Sequence, residues 1–301
     1  MFPKEHGAYG QLLFSLATAL AIGRPRVSAL ALAAAAVCGF LAHEPLLVAI
    51  GQRGARVARE RGAEAWRWLA VLGTTAAALA IVSVLLMPVA ARIALIVPAV
   101  FLAAFGVAVA TRREHTTGGE ILSGLTLASL ALPVALAADA TEVAALTVSL
   151  VFAAAFVVAI VSVRAMIGWA RHPGGASTRV GAAVLAAGLV LLLGVLARAG
   201  VTLSIAPWAA FPVCAVGFCL AVLAPSPRRV RTIGWILVGA MFVAAVLLVA
   251  GPRETPHGAR SVSRLVIQPF PSNGNGSSVV GPRQWKQASQ IASGQSRKSS
   301  G

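Results

Sequence analysis

The chain has 301 residues, of which 58% are hydrophobic and only 11% are charged. A soluble domain of this size carries about 25% charged residues, and apolar runs long enough to cross a bilayer recur along this chain. The composition therefore excludes a soluble globular protein and predicts an all-α, polytopic membrane helical bundle. The net charge of +16 does not indicate nucleic acid binding, because the basic residues lie in short loops between apolar runs.

We predict about nine transmembrane helices in two pseudo-repeated halves. Their spans are residues 5–22, 27–50, 68–90, 93–110, 120–138, 142–170, 180–197, 204–224 and 232–250. The residues after the last span are rich in Gly, Ser and Asn, which is typical of a disordered polar tail. The chain thus divides into a membrane domain at residues 1–251 and a tail at residues 252–301.

Span one begins with the segment KEHG, which places Glu5 and His6 at the entrance of a helix. The pattern returns before span five as REHTTGG, with Glu114 and His115. When residue 4 is aligned with residue 113, six of the eighteen positions 4–21 are identical. This similarity predicts that spans one to four and five to eight form two related halves. Coincidence in a sequence of low complexity is the alternative explanation.

Span two carries His43 and Glu44 about 10 Å before its end, and Arg164 lies at a similar depth in span six. An isolated charge is costly in lipid, so we expect Glu44 and Arg164 to form an ion pair. Pro45 lacks a backbone donor and can kink span two at this depth. Two interpretations remain open, namely a structural ion pair between the halves and a polar chamber open to the cytoplasm.

Four of the five histidines, among them His172 after span six, fall on the same predicted face as Glu5, Glu44, Glu114 and Glu120. Histidine and glutamate side chains suit proton transfer, and a positioned arginine suits anion binding. The candidate catalytic residues are therefore Glu5, His6, His43, Glu44, Glu114, His115 and Arg164. Because no closely spaced histidines or HExxH motif occur, we predict no metal site, and the sequence indicates no particular cofactor.

The segment RGARVARE places Arg53, Arg56 and Arg59 three residues apart, on one stripe of a helix. Such a stripe can bind a phosphate or diphosphate group, so these three residues, Arg171 and His172 are the candidate ligand-binding residues. The alternative is that the stripe only anchors the protein on anionic lipid headgroups.

Counting basic residues gives the orientation. Fourteen Lys and Arg residues are assigned to the N-terminal arm and to the segments after spans two, four, six and eight, which lie on one side of the membrane. Four lie in the loops on the other side. The positive-inside rule then predicts a cytoplasmic N-terminus. Arginine outnumbers lysine 22 to 3, which is typical of a GC-rich bacterial genome, so we expect a multi-pass protein of a bacterial inner membrane.

The segments PKEHGAYGQLLFSLATALAIGRP and FLAHEPLLVAIGQRGARVARERG resemble the YwiC-like family of bacterial integral membrane proteins, a resemblance that implies a membrane protein but no reaction. The helix count and the repeat are also similar to the architecture of UbiA prenyltransferases. Those enzymes hold Mg²⁺ and a prenyl diphosphate on Asp-rich motifs after helices two and six. The corresponding segments here contain no Asp, since Asp139 is the single aspartate of the chain.

Three functional hypotheses follow. The first is a membrane-embedded enzyme of UbiA-like shape that acts on a lipid or isoprenoid, with Arg and His residues in place of the Asp motifs. The second is a proton-coupled transporter, in which the His, Glu and Arg residues form the relay. The third is a structural membrane protein without catalysis. All three have the lipid bilayer as partner, and only the first implies a lipid or isoprenoid ligand.

Overall fold

The computed structural model describes residues 6–171, 176–223, 225–226 and 229–251. Within these ranges the chain forms helices and no strand, which confirms the all-α prediction. The helices are α1 (His6–Ile22), α2 (Val27–Ala49), α3 (Ala55–Leu86), α4 (Val89–Ala94), α5 (Ile96–Ala110), α6 (Thr117–Ser129), α7 (Ala131–Ala137), α8 (Glu142–Arg171), α9 (Ala176–Arg198), α10 (Ala206–Leu223) and α11 (Val230–Ala250). The predicted tail lies outside the described residues.

Among the described residues, eight helical segments are long and apolar enough to cross a membrane, and α1 is a shorter apolar helix. The protein is therefore an integral, multi-pass membrane protein. Two of the segments, Val89–Ala110 and Thr117–Ala137, each contain a pair of helices. In both, the first helix ends four residues before a proline, Pro98 or Pro133. A proline has no N–H to donate to the carbonyl four residues earlier, which explains both interruptions.

Helix α1 is short but central. Its side chains Leu12, Leu16 and Ala19 are almost completely buried, because α1 packs against α6, α7, α8 and α11. Helix α8 forms the other part of the core, with Phe152 and Phe156 fully buried. By contrast, α3, α5 and α9 expose most of their apolar side chains. In a membrane protein such surfaces face the lipid, so these three helices form the outside of the bundle.

Some contacts between helices are compatible with the predicted repeat, which stays a prediction. If spans one to four correspond to spans five to eight, then α1 corresponds to α6–α7, and α2 corresponds to α8. The structure pairs α1 with α6 and α7, and it contains both reciprocal contacts, α1 with α8 and α2 with α7. The loops that follow the two corresponding segments also meet, since the Arg24 N–H donates to the Ala138 carbonyl at 2.6 Å. These two segments therefore run in the same direction.

One boundary differs markedly from the sequence prediction. Span three was expected to begin at residue 68, whereas α3 begins at Ala55. Hydropathy locates only the part of a helix that lies in lipid, and a helix continues beyond the bilayer when its residues favour helix formation. The added residues are mostly Ala, Arg and Glu, and Arg56 pairs with Glu60 one turn later at 2.8 Å. The predicted loop is thus largely a charged extension of α3.

Candidate functional site

The candidate site lies at one end of the bundle, which we call the basic end. Here α2, α5, α8 and α10 finish and α3, α6 and α9 start. Hydrogen bonds from Gln52 and from Arg179 connect these helix termini. The Gln52 amide donates to the Val109 carbonyl at 2.8 Å, which joins the α2–α3 loop to the last turn of α5. Arg179 of α9 donates to the Ala221 carbonyl of α10 at 2.7 Å, and its guanidinium lies 4.7 Å from the centre of the Trp169 ring.

At the end of α2, Glu44 forms a two-pronged ion pair with Arg53. The Arg53 Nε atom donates to Glu44 Oε1 at 2.9 Å, and Nη2 donates to Oε2 at 2.6 Å. The α2–α3 loop turns back through Gly51 and Gly54, both of which have positive φ angles, and this brings Arg53 to Glu44. Arg53 therefore precedes α3 and does not share a helical stripe with Arg56 and Arg59, so the predicted three-arginine stripe is wrong.

Arg164 pairs with Glu120 and not with Glu44, so the predicted Glu44–Arg164 pair is also wrong. The Arg164 Nε atom donates to Glu120 Oε2 at 2.7 Å, and Nη2 bonds to Oε1. Nη2 also donates to the His115 carbonyl at 2.7 Å. Both partners lie at the start of predicted span five, in the same predicted half as Arg164. The reason is lateral packing: α8 touches α6 and does not form a comparable contact with α2.

Close packing of α6 against α8 fixes this ion pair. A side chain at Gly124, one turn after Glu120, would lie 3.1 Å from Ile160 and 3.3 Å from Phe156 of α8. The absence of a side chain thus lets the two helix backbones approach. Because Ile160 is one turn before Arg164, the Glu120 carboxylate comes within reach of the guanidinium.

The loop between α5 and α6 holds Glu114 and His115 in place. After α5 the chain reverses at Arg112, which has a φ of 56°, and the Arg113 N–H donates to the Ala108 carbonyl at 2.7 Å. Thr116 then begins α6, because its hydroxyl accepts from the Gly119 N–H at 3.1 Å. Glu114 is mostly buried, and its Oε1 atom lies 3.2 Å from Nε2 of the exposed His115 imidazole.

Most of the candidate residues lie in a segment that matches a protein family. Residues 2–136 match the family model described as YwiC-like protein. The match confirms the resemblance carried by the KEHG and HEP segments. This YwiC-like segment extends from α1 into α7, and it contains Glu44, Glu114, His115 and Glu120. Neither a curated protein nor a solved structure matches the chain, and the UbiA-like likeness stays a prediction.

The remaining candidates of the YwiC-like segment have different surroundings. His43 is half-buried on α2, with its ring 5.7 Å from that of Phe105 on α5. Arg56 is highly exposed and pairs with Glu60, and Arg59 is exposed on the first turns of α3. Helix α2 continues through Pro45 as one helix. Glu5, the side chain of His6, and, beyond the segment, the side chain of Arg171 and His172 lie outside the described residues.

The basic end offers acid–base and anion-binding groups. Among the described residues, no group of three His, Cys, Asp or Glu residues is placed to hold a metal ion. A glutamate beside an exposed imidazole can orient a general acid or base, and an arginine fixed by a carboxylate can bind an anion with its other donors.

Three residues at the basic end were not among the candidates predicted from the sequence, namely Glu120, Gln52 and Gly119. Glu120 had a detectable signal, because it follows the threonine that begins α6 and lies on the predicted face. Hydropathy could not show whether Glu44 or Glu120 is the partner of Arg164, because it indicates the depth of a residue in the membrane and not its neighbours. The role of Gly119 becomes visible only in the structure, where the α5–α6 loop folds against it.

Proposed function

We propose that the protein is a membrane-embedded enzyme that acts on a lipid or isoprenoid substrate at the basic end. One observation carries this proposal: Glu114, His115, Glu120 and Arg164 lie together where α6 begins, joined by the hydrogen bond from Arg164 to the His115 carbonyl. An acid–base pair thus lies beside a fixed cation, close to the membrane surface.

In this proposal the exposed His115 imidazole exchanges a proton with the substrate, and the Glu114 carboxylate orients the ring. The exposures of the two side chains suit these roles, because Glu114 is only 12% exposed whereas His115 is 65% exposed. A buried carboxylate holds its neighbour in one orientation, and an exposed imidazole is accessible to a ligand. Arg164 positions the substrate.

The location of these groups favours an amphiphilic substrate. Arg164 is seven residues before the end of α8, about 10 Å below it, whereas His115 lies in the loop above. A lipid or isoprenoid can place a polar head at this level while its chain remains among the exposed apolar side chains of the outer helices. By the positive-inside rule we place the basic end, and with it the N-terminus, in the cytoplasm of a bacterium.

The interior of the bundle gives less support to a proton-coupled transporter. Among the described residues, every buried polar side chain is a serine or threonine. Several of these hydroxyl groups donate to a carbonyl of their own helix, as Ser15 does to Leu12 and Thr126 does to Leu122. A proton relay through the membrane uses titratable side chains such as Asp, Glu and His. In the described structure such groups concentrate at the ends of the helices.

The proposal can be tested by lipid analysis of cells that lack the gene and express either the wild-type protein or a variant. We expect the wild-type protein to change at least one lipid or isoprenoid species by mass spectrometry, and His115→Asn and Glu114→Gln to abolish that change. Glu64→Gln is the matched control, because Glu64 is an exposed carboxylate of α3 near the same end. The control should behave as wild type.

Equal lipid profiles with and without the wild-type protein would contradict the enzymatic proposal. A proton flux in liposomes containing the purified protein, abolished by His115→Asn, would instead establish the transporter. A lipid change that persists in both the His115 and Glu114 variants would show that the reaction occurs elsewhere.

A further inference from the structure

The donors of Arg164 indicate what kind of headgroup the site takes. A guanidinium has five N–H donors. Three are used here, two toward the Glu120 carboxylate and one toward the His115 carbonyl. The remaining two are on Nη1, and no described residue accepts a hydrogen bond from them. The side chain as a whole is 37% exposed, and its contacts with Glu120 and His115 orient the guanidinium, which leaves Nη1 as the edge that can take a ligand.

The charges around Arg164 favour an anion. Arg112, Arg113 and Arg164 contribute three positive charges, and the Glu114 and Glu120 carboxylates contribute two negative ones. Arg112 and Arg113 are exposed and have no ion pair among the described residues. The described charges of the α5–α6 loop and of the Glu120–Arg164 pair therefore sum to +1, even though Arg164 already has a carboxylate partner.

We propose that the Nη1 edge of Arg164 binds the phosphate group of a lipid phosphate or isoprenoid phosphate. This inference rests on the proposed function for the class of substrate, and it adds the headgroup and the residue that recognises it. Glu120 positions the guanidinium and also competes electrostatically with the phosphate. The depth of Arg164 in α8 favours a phosphate that is attached to an apolar chain over free phosphate.

Binding of farnesyl phosphate to the protein in phosphatidylcholine nanodiscs tests this site directly. We expect Arg164→Gln to raise the dissociation constant about tenfold, as the loss of charge-assisted hydrogen bonds to an anion does. Glu120→Gln removes the competing charge and should lower the dissociation constant, which a purely structural ion pair would not do. Farnesol has the same chain without the phosphate, and both it and inorganic phosphate should bind at least about tenfold more weakly.

Two arginine variants control for charge and for ion pairing. Arg61→Gln removes one positive charge from the exposed surface of α3 near the basic end, and Arg26→Gln breaks an ion pair with Asp139 at the opposite end. Both should retain the wild-type dissociation constant within about twofold. Phosphatidylglycerol is included as a second ligand, and binding of either phosphate lipid through Arg164 supports the inference.

The inference is overturned if Arg164→Gln binds farnesyl phosphate as the wild type does, if Arg61→Gln weakens binding equally, or if farnesol binds as tightly. Tight binding of inorganic phosphate would overturn the lipid assignment. If Arg164→Gln does not fold, the double variant Glu120→Gln with Arg164→Gln, which lacks both charges, replaces it. Glu120→Gln alone still tests whether the dissociation constant falls when the competing carboxylate is removed. Phosphate binding without any lipid change in cells would refute the proposed enzyme and leave this site intact.

Discussion

The substitution Gly119→Ala tests how the loop that holds Glu114 and His115 depends on one glycine. A Cβ atom at Gly119 would lie 2.6 Å from the Glu114 carbonyl oxygen and 2.9 Å from its carbon, and it would also meet the Arg113 carbonyl oxygen. These are backbone atoms, so the loop must move as a whole. At Gly118, the preceding residue of α6, the nearest atom is the Thr116 hydroxyl oxygen at 4.0 Å. Gly118→Ala is therefore the matched control.

The two substitutions should change stability in opposite directions. In a helix, Ala is favoured over Gly by about 0.5–1 kcal/mol, and both variants gain this contribution. Displacement of the loop by Gly119→Ala costs about 1 kcal/mol for the Thr116 cap and about 1.5–3 kcal/mol for the hydrogen bond from Arg164 to the His115 carbonyl. We expect a net loss of about 1.5–3.5 kcal/mol for Gly119→Ala, and a gain of about 0.5–1 kcal/mol for Gly118→Ala.

Unfolding of the purified protein in mixed detergent micelles, followed by tryptophan fluorescence, measures both free energies. In thermal scans, Gly119→Ala should lower Tm by about 3–14 °C and Gly118→Ala should raise it slightly. Equal stability of the two variants, or a more stable Gly119→Ala protein, would refute the loop geometry. Combining Gly119→Ala with Arg164→Gln should lose less than the sum of the two effects, because both remove the same hydrogen bond.

Three further predictions follow from other contacts. A double-mutant cycle on Glu120→Gln and Arg164→Gln should give a coupling energy of at least about 0.5 kcal/mol, whereas a cycle on Glu44→Gln and Arg164→Gln should be additive, and the reverse result would restore the pairing expected from sequence. Gly200→Ala should destabilise the protein by about 1–2 kcal/mol in the same unfolding assay, because φ is 73° there while no atom lies within 4 Å of the added Cβ; an unchanged free energy would show that this turn adopts another conformation. In a variant without Cys38, Cys214 and Cys219, a membrane-impermeant thiol reagent added to intact cells should label Ala199→Cys and not Ala55→Cys, and the opposite labelling would invert the orientation.

The sequence by itself determined the membrane character of the protein and the order of its helices. Runs of apolar residues mark the segments that lie in the bilayer, because placing polar groups in lipid is costly. The position of a polar residue within such a run indicates its depth in the membrane. The breaks before Pro98 and Pro133 were not predicted, and a proline alone does not indicate a break, since α2 continues through Pro45 as one helix. The KEHG and HEP segments carried the family resemblance, which the match over residues 2–136 confirms.

The tertiary structure decided which of these groups meet. Glu44 and Arg164 have the same predicted depth, but depth does not specify neighbours within the membrane plane. Arg164 pairs with Glu120 because Gly124 allows α6 and α8 to approach closely, and Glu44 pairs with Arg53 because the glycines of the α2–α3 loop turn the chain back. Both outcomes depend on backbone contacts between segments that are apolar in nearly the same way, so the hydropathy pattern cannot distinguish one lateral arrangement from another.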